Sequence, residues 1–226
     1  MARRFSPGEM TVWSGPAGAI DPLLELVYAG CAAAGGTVSL LEGANRFNPY
    51  AIGATGRALG VDATETLRRV RLARAFTVHQ LVALAESWPA EIARTSPDLL
   101  VAHDLPALFE ADEVPDDERR ALFDHLARQL ADTVERSRRA LVVTLAGGLD
   151  RFPGLATVGP RLYEVVVVRR SPGGVTRLRA VRENVAYTLA PRASGQRGLD
   201  EFGGDAEEVM PWGEPPRRTV RRSKRG

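Results

Sequence analysis

Ser14-Gly15-Pro16-Ala17-Gly18-Ala19 joins a short apolar run, Thr11–Trp13, to the pair Asp21-Pro22. A strand that feeds a glycine-containing turn and then a helix is the layout in which backbone N–H groups hold phosphate oxygens. Asp followed by Pro is a helix-start signal, with Asp21 read as the N-cap and Pro22 as the first helical residue. No third glycine or ribose-binding acid follows in the pattern of a dinucleotide fingerprint, and no nucleophile elbow or Ser-His-Asp order occurs. His79, His103 and His125 lie far apart and have no companion cysteine, so no metal ligand set is expected; His79 reads as a group that caps or packs a helix and His125 as a surface group. Glu110–Glu118 is rich in acids and reads as a solvated loop at a helix start, where carboxylates are favoured. No catalytic residue is assigned.

Charge is distributed unevenly. The formal charge of the 226-residue chain is +2, from 30 basic and 28 acidic residues. Arg217, Arg218, Arg221, Arg222, Lys224 and Arg225 are the last basic residues of the chain and stand without an acid among them. The rest holds 24 basic residues against 28 acidic ones, so a mildly acidic body carries a basic tail. Lys224 is the sole lysine, so lysine chemistry in a folded body is excluded. The single cysteine, Cys31, has small neighbours and reads as a buried small residue. No apolar run approaches the about 18 residues of a membrane span, and no apolar stretch follows the basic N-terminus, so the expected location is the cytoplasm, with no membrane partner.

The segments that must position these residues alternate strand and helix, which predicts an α/β fold with a mostly parallel sheet. Strands are expected at Thr11–Trp13, Thr37–Leu41, Val70–Ala75, Leu99–His103 and Leu141–Thr144. Helices are expected from Asp21, from Asn48-Pro49 to about Leu59, over Val78–Ala93 with an interruption at Pro89, and from about Asp116 to Arg138. After Phe152-Pro153-Gly154, Leu162–Val168 and Val175–Val181 read as a hairpin joined by Ser171-Pro172-Gly173-Gly174, with Val185–Leu189 as a third antiparallel strand. Residues 1–194 form the expected core domain, and 195–226 a flexible tail, basic at 217–225.

Several segments, in order, resemble the ATPase core of the RecA/RadA-type recombinase superfamily. Leu40-Leu41-Glu42-Gly43-Ala44-Asn45-Arg46-Phe47-Asn48-Pro49 is similar to the family's stretch after its second strand. Val70-Arg71-Leu72-Ala73-Arg74-Ala75-Phe76 with His79-Gln80 resembles its Ala-Arg-Ala-aromatic strand and the helix start after it, and Leu99–Phe109 its Walker B strand. Glu113–Gln129 resembles the helix after that strand, and Leu141–Thr144 the next strand; the likeness spans roughly residues 10–203. It implies a RecA-like P-loop NTPase fold, a three-layer α/β/α sandwich with a C-terminal antiparallel hairpin edge.

The resemblance also implies a degenerate nucleotide site. With Gly15, Pro16, Ala17 and Gly18 as the loop's start, Ile20 stands at its last glycine, Asp21 at the lysine and Pro22 at the Ser/Thr. An anion then replaces the cation that offsets phosphate charge, and no hydroxyl is left for magnesium. The water-polarising carboxylate falls at Ala44, with Glu42 nearby as an auxiliary acid, and Leu145-Ala146 replaces the polar sensor. Either His103 or Asp104 stands at the Walker B position. The expectation is a catalytically inactive paralogue, an accessory or regulatory module of DNA recombination or repair that holds no cofactor and contacts DNA through its tail. The alternatives are a divergent ATP-binding ATPase using magnesium, with Asp104 and Glu42 on the metal, and a pseudo-ATPase subunit that docks on an active homologue and offers an arginine such as Arg74. Six tail cations neutralise at most six phosphates, so the tail alone predicts a log–log salt slope for duplex DNA no steeper than about −5.

Overall fold

The computed structural model describes residues 5, 7–111, 114–147, 162–171, 175–182 and 185–189. The chain runs β1 (Met10–Gly15), α1 (Ala17–Ala33), β2 (Val38–Glu42), α2 (Pro49–Ala58), α3 (Ala63–Arg68), β3 (Val70–Arg74) and α4 (Val78–Thr95). It continues through β4 (Leu99–His103), α5 (Pro106–Ala111), α6 (Asp116–Ser137), β5 (Ala140–Ala146), β6 (Leu162–Arg170), β7 (Thr176–Ala180) and β8 (Val185–Leu189). One sheet holds all eight strands in the order β3-β2-β4-β5-β1-β6-β7-β8. The six strands from β3 to β6 are parallel, and β7 and β8 extend the sheet by antiparallel pairing. The fold is therefore α/β with a mostly parallel sheet and an antiparallel end, as the alternation of segments predicts.

Alternate residues of the buried strands face opposite ways. Met10, Val12, Leu100, Ala102, Leu141 and Val143 pack with α4 and α6 residues such as Leu81, Trp88, Leu126 and Leu130. Trp13, Val38, Leu40, Leu99, Val101 and Val142 pack with α1 through Ile20, Leu24 and Val27. A parallel sheet needs helices on both faces, and these two apolar layers supply them. Cys31 belongs to the second layer, and burial pushes its thiol up to about 11.

Four readings of the sequence are corrected. Helix α1 begins at Ala17 with Pro16 at the N-cap, so Asp21 is no cap and Pro22 lies inside the helix. Buried Ala19 and Ile20 already belong to the apolar stripe, and this packing overrides the local Asp-Pro signal. Pro22 has no N–H for the Gly18 carbonyl four residues back, and the Arg170 guanidinium donates to that oxygen instead, at 2.8 Å. Helix α4 passes through Pro89 unbroken, with Trp88 and Ile92 buried on its inner face. The acid-rich stretch after the fourth strand begins inside α5, whose Phe109 stacks on Phe123 of α6 at 3.8 Å. Finally, α3 adds a short helix between Asn48-Pro49 and the third strand, capped by Asp62. The tail from 195 and the turns at 152–154 and 172–174 lie outside the described residues.

Gly15 is explained by the sheet. A Cβ there would lie 2.2 Å from the Val168 carbonyl oxygen of the neighbouring strand. Gly15→Ala is expected to destabilise the fold by about 1–3 kcal/mol, the range for overpacking a tight interior, and urea unfolding would measure it.

Candidate functional site

The parallel register sets a polar row across the C-terminal ends of four strands. Arg74 pairs with Glu42, Glu42 with His103 and His103 with Thr144. Such residues interrupt otherwise apolar strands, and they stand where β2 sends the chain toward α2 on one face and β4 sends it toward α6 on the other. Crevices for ligands open at such points in α/β sheets.

Arg46 fills this one. Its Nε lies 2.9 Å from Asp21 Oδ2 and its Nη1 2.9 Å from Asp104 Oδ2, so one guanidinium bridges α1 to the end of β4. The loop from β2 is shaped to deliver it: Asn45 adopts φ 53°, and Glu42 Oε1 accepts the backbone N–H groups of Arg46 and Phe47, both at 2.6 Å. The other Glu42 oxygen accepts from Arg74 Nε at 2.7 Å. Glu42 is fully buried and both its oxygens are engaged, so its work is to hold the loop. Arg74 is likewise a brace of the sheet end.

Asp104 is buried as well, at 1% exposure, and takes the left-handed φ of 43°. Its N–H donates to Thr144 and its Oδ1 accepts from the Ala146 N–H at 2.9 Å, which ties β4 to β5. His103 ends the strand and Asp104 follows it, and both side chains reach the cluster. His103 Nε2 lies 3.1 Å from Asp21 Oδ1. A carboxylate can only accept, so this nitrogen carries the proton, and its 3.4 Å approach to Arg46 Nη2 is a contact between two donors. His103 Nδ1 is 3.7 Å from Glu42 Oε1, beyond hydrogen-bond length.

Burial alone would raise the pKa of Asp21, but the hydrogen bonds from His103 and Arg46 outweigh it and hold the carboxyl below its usual range. Arg46 shows the converse balance: desolvation opposes its charge, and the two carboxylates prevail and raise its pKa. Tyr28 borders the cluster, and burial, aided by the Glu42 and Asp21 charges, holds its phenol well above the ordinary value. The crevice left beside the cluster, bounded by Asp21, Tyr28, Arg46, Phe47 and His103, measures about 10 Å³. That is room for one water, against the several hundred Å³ of a small-molecule site.

The expected phosphate loop takes another form. Gly15 ends β1, Pro16 is the only residue between strand and helix, and Ala17 and Gly18 are already helical. No loop remains to wrap a phosphate. The structure thus brings together Asp21, Glu42, His103 and Asp104, and it adds Arg46, to which the sequence reading gave no role. The one signal for Arg46 was its place at the same end of the sheet as the acid after β4. Among the described residues no group of three or more His, Cys, Asp or Glu forms a metal site. His79 lies 3.7 Å from Glu118, and His125 2.8 Å from Glu86, both on the surface between α4 and α6. The six basic residues of the tail lie outside the described residues. No described helix is long and apolar enough to cross a membrane.

No protein-family model matches the chain, and no curated protein matches it.

Arg46→Met strands the buried Asp104 and the partly buried Asp21, and is expected to destabilise by about 3 kcal/mol, the lower end for breaking a buried pair because Arg46 is itself partly exposed. Adding Asp104→Asn to that variant should recover part of the loss. Asp21 contributes stability where it is ionised, because its folded pKa is the lower one. Asp21→Asn should therefore lie below the parent by a constant margin at pH above about 5, and the margin should close as pH falls through the folded pKa. Urea unfolding across a pH series reads both effects.

Proposed function

We propose that this chain is a catalytically silent paralogue of the RecA/RadA-type recombinases, a binding or regulatory module of DNA recombination or repair that contacts DNA through its basic tail. The observation that carries this reading is the Arg46 clasp. An active site of that type sets a lysine and a metal ion against the nucleotide's phosphates. Here the lysine position holds Asp21, the Walker B-like position falls at His103 or Asp104, and the cation between Asp21 and Asp104 belongs to the protein itself. Charge neutralisation, metal placement and water activation all lack their groups, since Ala44 stands where the catalytic carboxylate would be and Glu42 is committed to the loop. The collinear segments support the family reading. The excess of cations in the last ten positions supports the contact with DNA.

A second reading, a pseudo-ATPase subunit that docks on an active homologue, is favoured by one edge of the sheet. Strand β3 is an edge strand whose Leu72 is 38% exposed, and Phe76 just beyond it is 65% exposed. On the α4 side of the same edge, the face opposite Leu72, runs a groove of about 420 Å³ lined by Ala73, Leu84, Trp88 and Glu91. An open strand edge with apolar side chains is a template for a partner's strand.

The full chain is expected to show no magnesium-dependent ATP turnover and no thermal shift with ATP, and Asp21→Lys with Pro22→Thr should not create activity, because Ala44 still lacks a carboxylate. Turnover abolished by Asp104→Ala would sink the silent reading. For the second reading, a complex with a RecA/RadA-type ATPase on size-exclusion chromatography should be lost on Phe76→Asp; absence of any such complex removes it.

A further inference from the structure

The antiparallel end of the sheet carries a set of cations that the site above does not use. Residues 165–182 contain Arg169, Arg170, Arg177, Arg179 and Arg182 and no acid. Register divides them between the two faces. Val166, Val168 and Arg170 pair with Ala180, Leu178 and Thr176, and this set faces α1, where Val168 is buried and Arg170 holds the Gly18 carbonyl. Arg169 stands directly opposite Arg177, and Val167 opposite Arg179, on the other face. Thr188 and Ala186 of β8 continue those two rows.

On that other face the helical layer of the described residues stops short. Among the described residues, the apolar layer built by α4 and α6 covers residues of β1, β2, β4 and β5 and includes none from β6, β7 or β8. Arg169, Arg177 and Arg179 are exposed, and among the described residues no carboxylate pairs with any of them. Like charges directly opposite across two strands destabilise a sheet, so a bare Arg169–Arg177 pair works against folding. Two residues of strand rise, about 7 Å, separate Arg177 from Arg179, so three guanidinium forks stand on one open surface. Guanidinium forks match phosphate oxygens in pairs, and the body outside this end is acidic.

We infer that the exposed face of β6–β7–β8 is a binding surface for nucleic acid, which Arg169, Arg177 and Arg179 hold by its backbone phosphates without reading sequence. The inference rests on the proposed function for the class of partner, and it moves part of the contact from the tail onto the body. Three more phosphates neutralised add about 2.7 to the magnitude of the salt slope on duplex DNA and about 2 on a single strand.

The test uses the full chain and a fluorescein-labelled oligonucleotide, single-stranded and duplex, titrated by anisotropy across a salt series. One variant carries Arg169→Gln, Arg177→Gln and Arg179→Gln; a second carries Gln at all six basic tail positions. The expected result is a slope shallower by about 2.7 on duplex for the first, by up to about 5 for the second, and a melting temperature of the first no lower than the parent's. A slope that the first variant leaves unchanged and the second flattens overturns this inference and leaves the proposed function standing. Nucleic acid bound by neither parent nor variant overturns both. Poly-glutamate held through the three arginines while the oligonucleotide is not would overturn it too, in favour of an acidic protein partner. Ultraviolet crosslinking of the unaltered chain supplies a readout independent of folding in the variants: nucleotide adducts within 165–182 support the inference, and adducts confined to the tail overturn it.

Discussion

One guanidinium determines how three distant stretches of this chain meet. Arg46 comes from the loop after β2, Asp21 from the second turn of α1, and Asp104 from the end of β4. Each partner is anchored in turn. Glu42 grips the main chain on which Arg46 sits, Arg74 grips Glu42, and Asp104 hooks the amide of Ala146 on the next strand. A buried ion pair adds little net stability over an apolar substitute, because desolvation offsets most of its attraction. Its hold on the structure is of another kind: with any member missing, the remaining charges are stranded at the sheet end, so alternative arrangements of the loop and helix are disfavoured.

The position of this cluster follows from topology. Where β2 and β4 lie side by side and their connections depart to opposite faces, the strand ends cannot be covered by a helix from either layer. Most α/β proteins leave such a place to a ligand. This chain closes it with its own side chains, and the polar row Arg74, Glu42, His103 and Thr144 becomes an internal seam. The acid at position 21 makes that closure chemically consistent. An acid there demands a cation, and the neighbouring loop supplies one.

How much of this the sequence reveals depends on the range of the interaction concerned. Leu99–His103 and Val185–Leu189 read as strands from their own composition and are strands with those bounds. Asn48-Pro49 opens α2 with the Asn48 side chain as its cap, a device contained within four residues. The start of α1 misleads because burial of Ala19 and Ile20 outweighs the local signal at Asp21-Pro22, and a residue from β6 repairs the carbonyl that Pro22 leaves free. Arg46 is opaque for a similar reason. Its partners are 25 and 58 positions away, and nothing in its neighbours distinguishes it from the other arginines of the chain. The opposition of Arg169 and Arg177 is a matter of strand register, which is set by pairing and cannot be read from either strand alone.

The lone thiol gives the molecule a built-in reporter. Cys31 is buried in α1 beneath Gly36, where an added methyl would lie 2.9 Å from its sulfur, and its pKa of about 11 leaves almost no thiolate near neutrality. Reagents that need a thiolate therefore react slowly with the folded chain, and faster when α1 and β2 part. The rate at which a disulfide reagent marks this one sulfur thus reports how often the C-terminal end of α1 parts from Gly36 and β2.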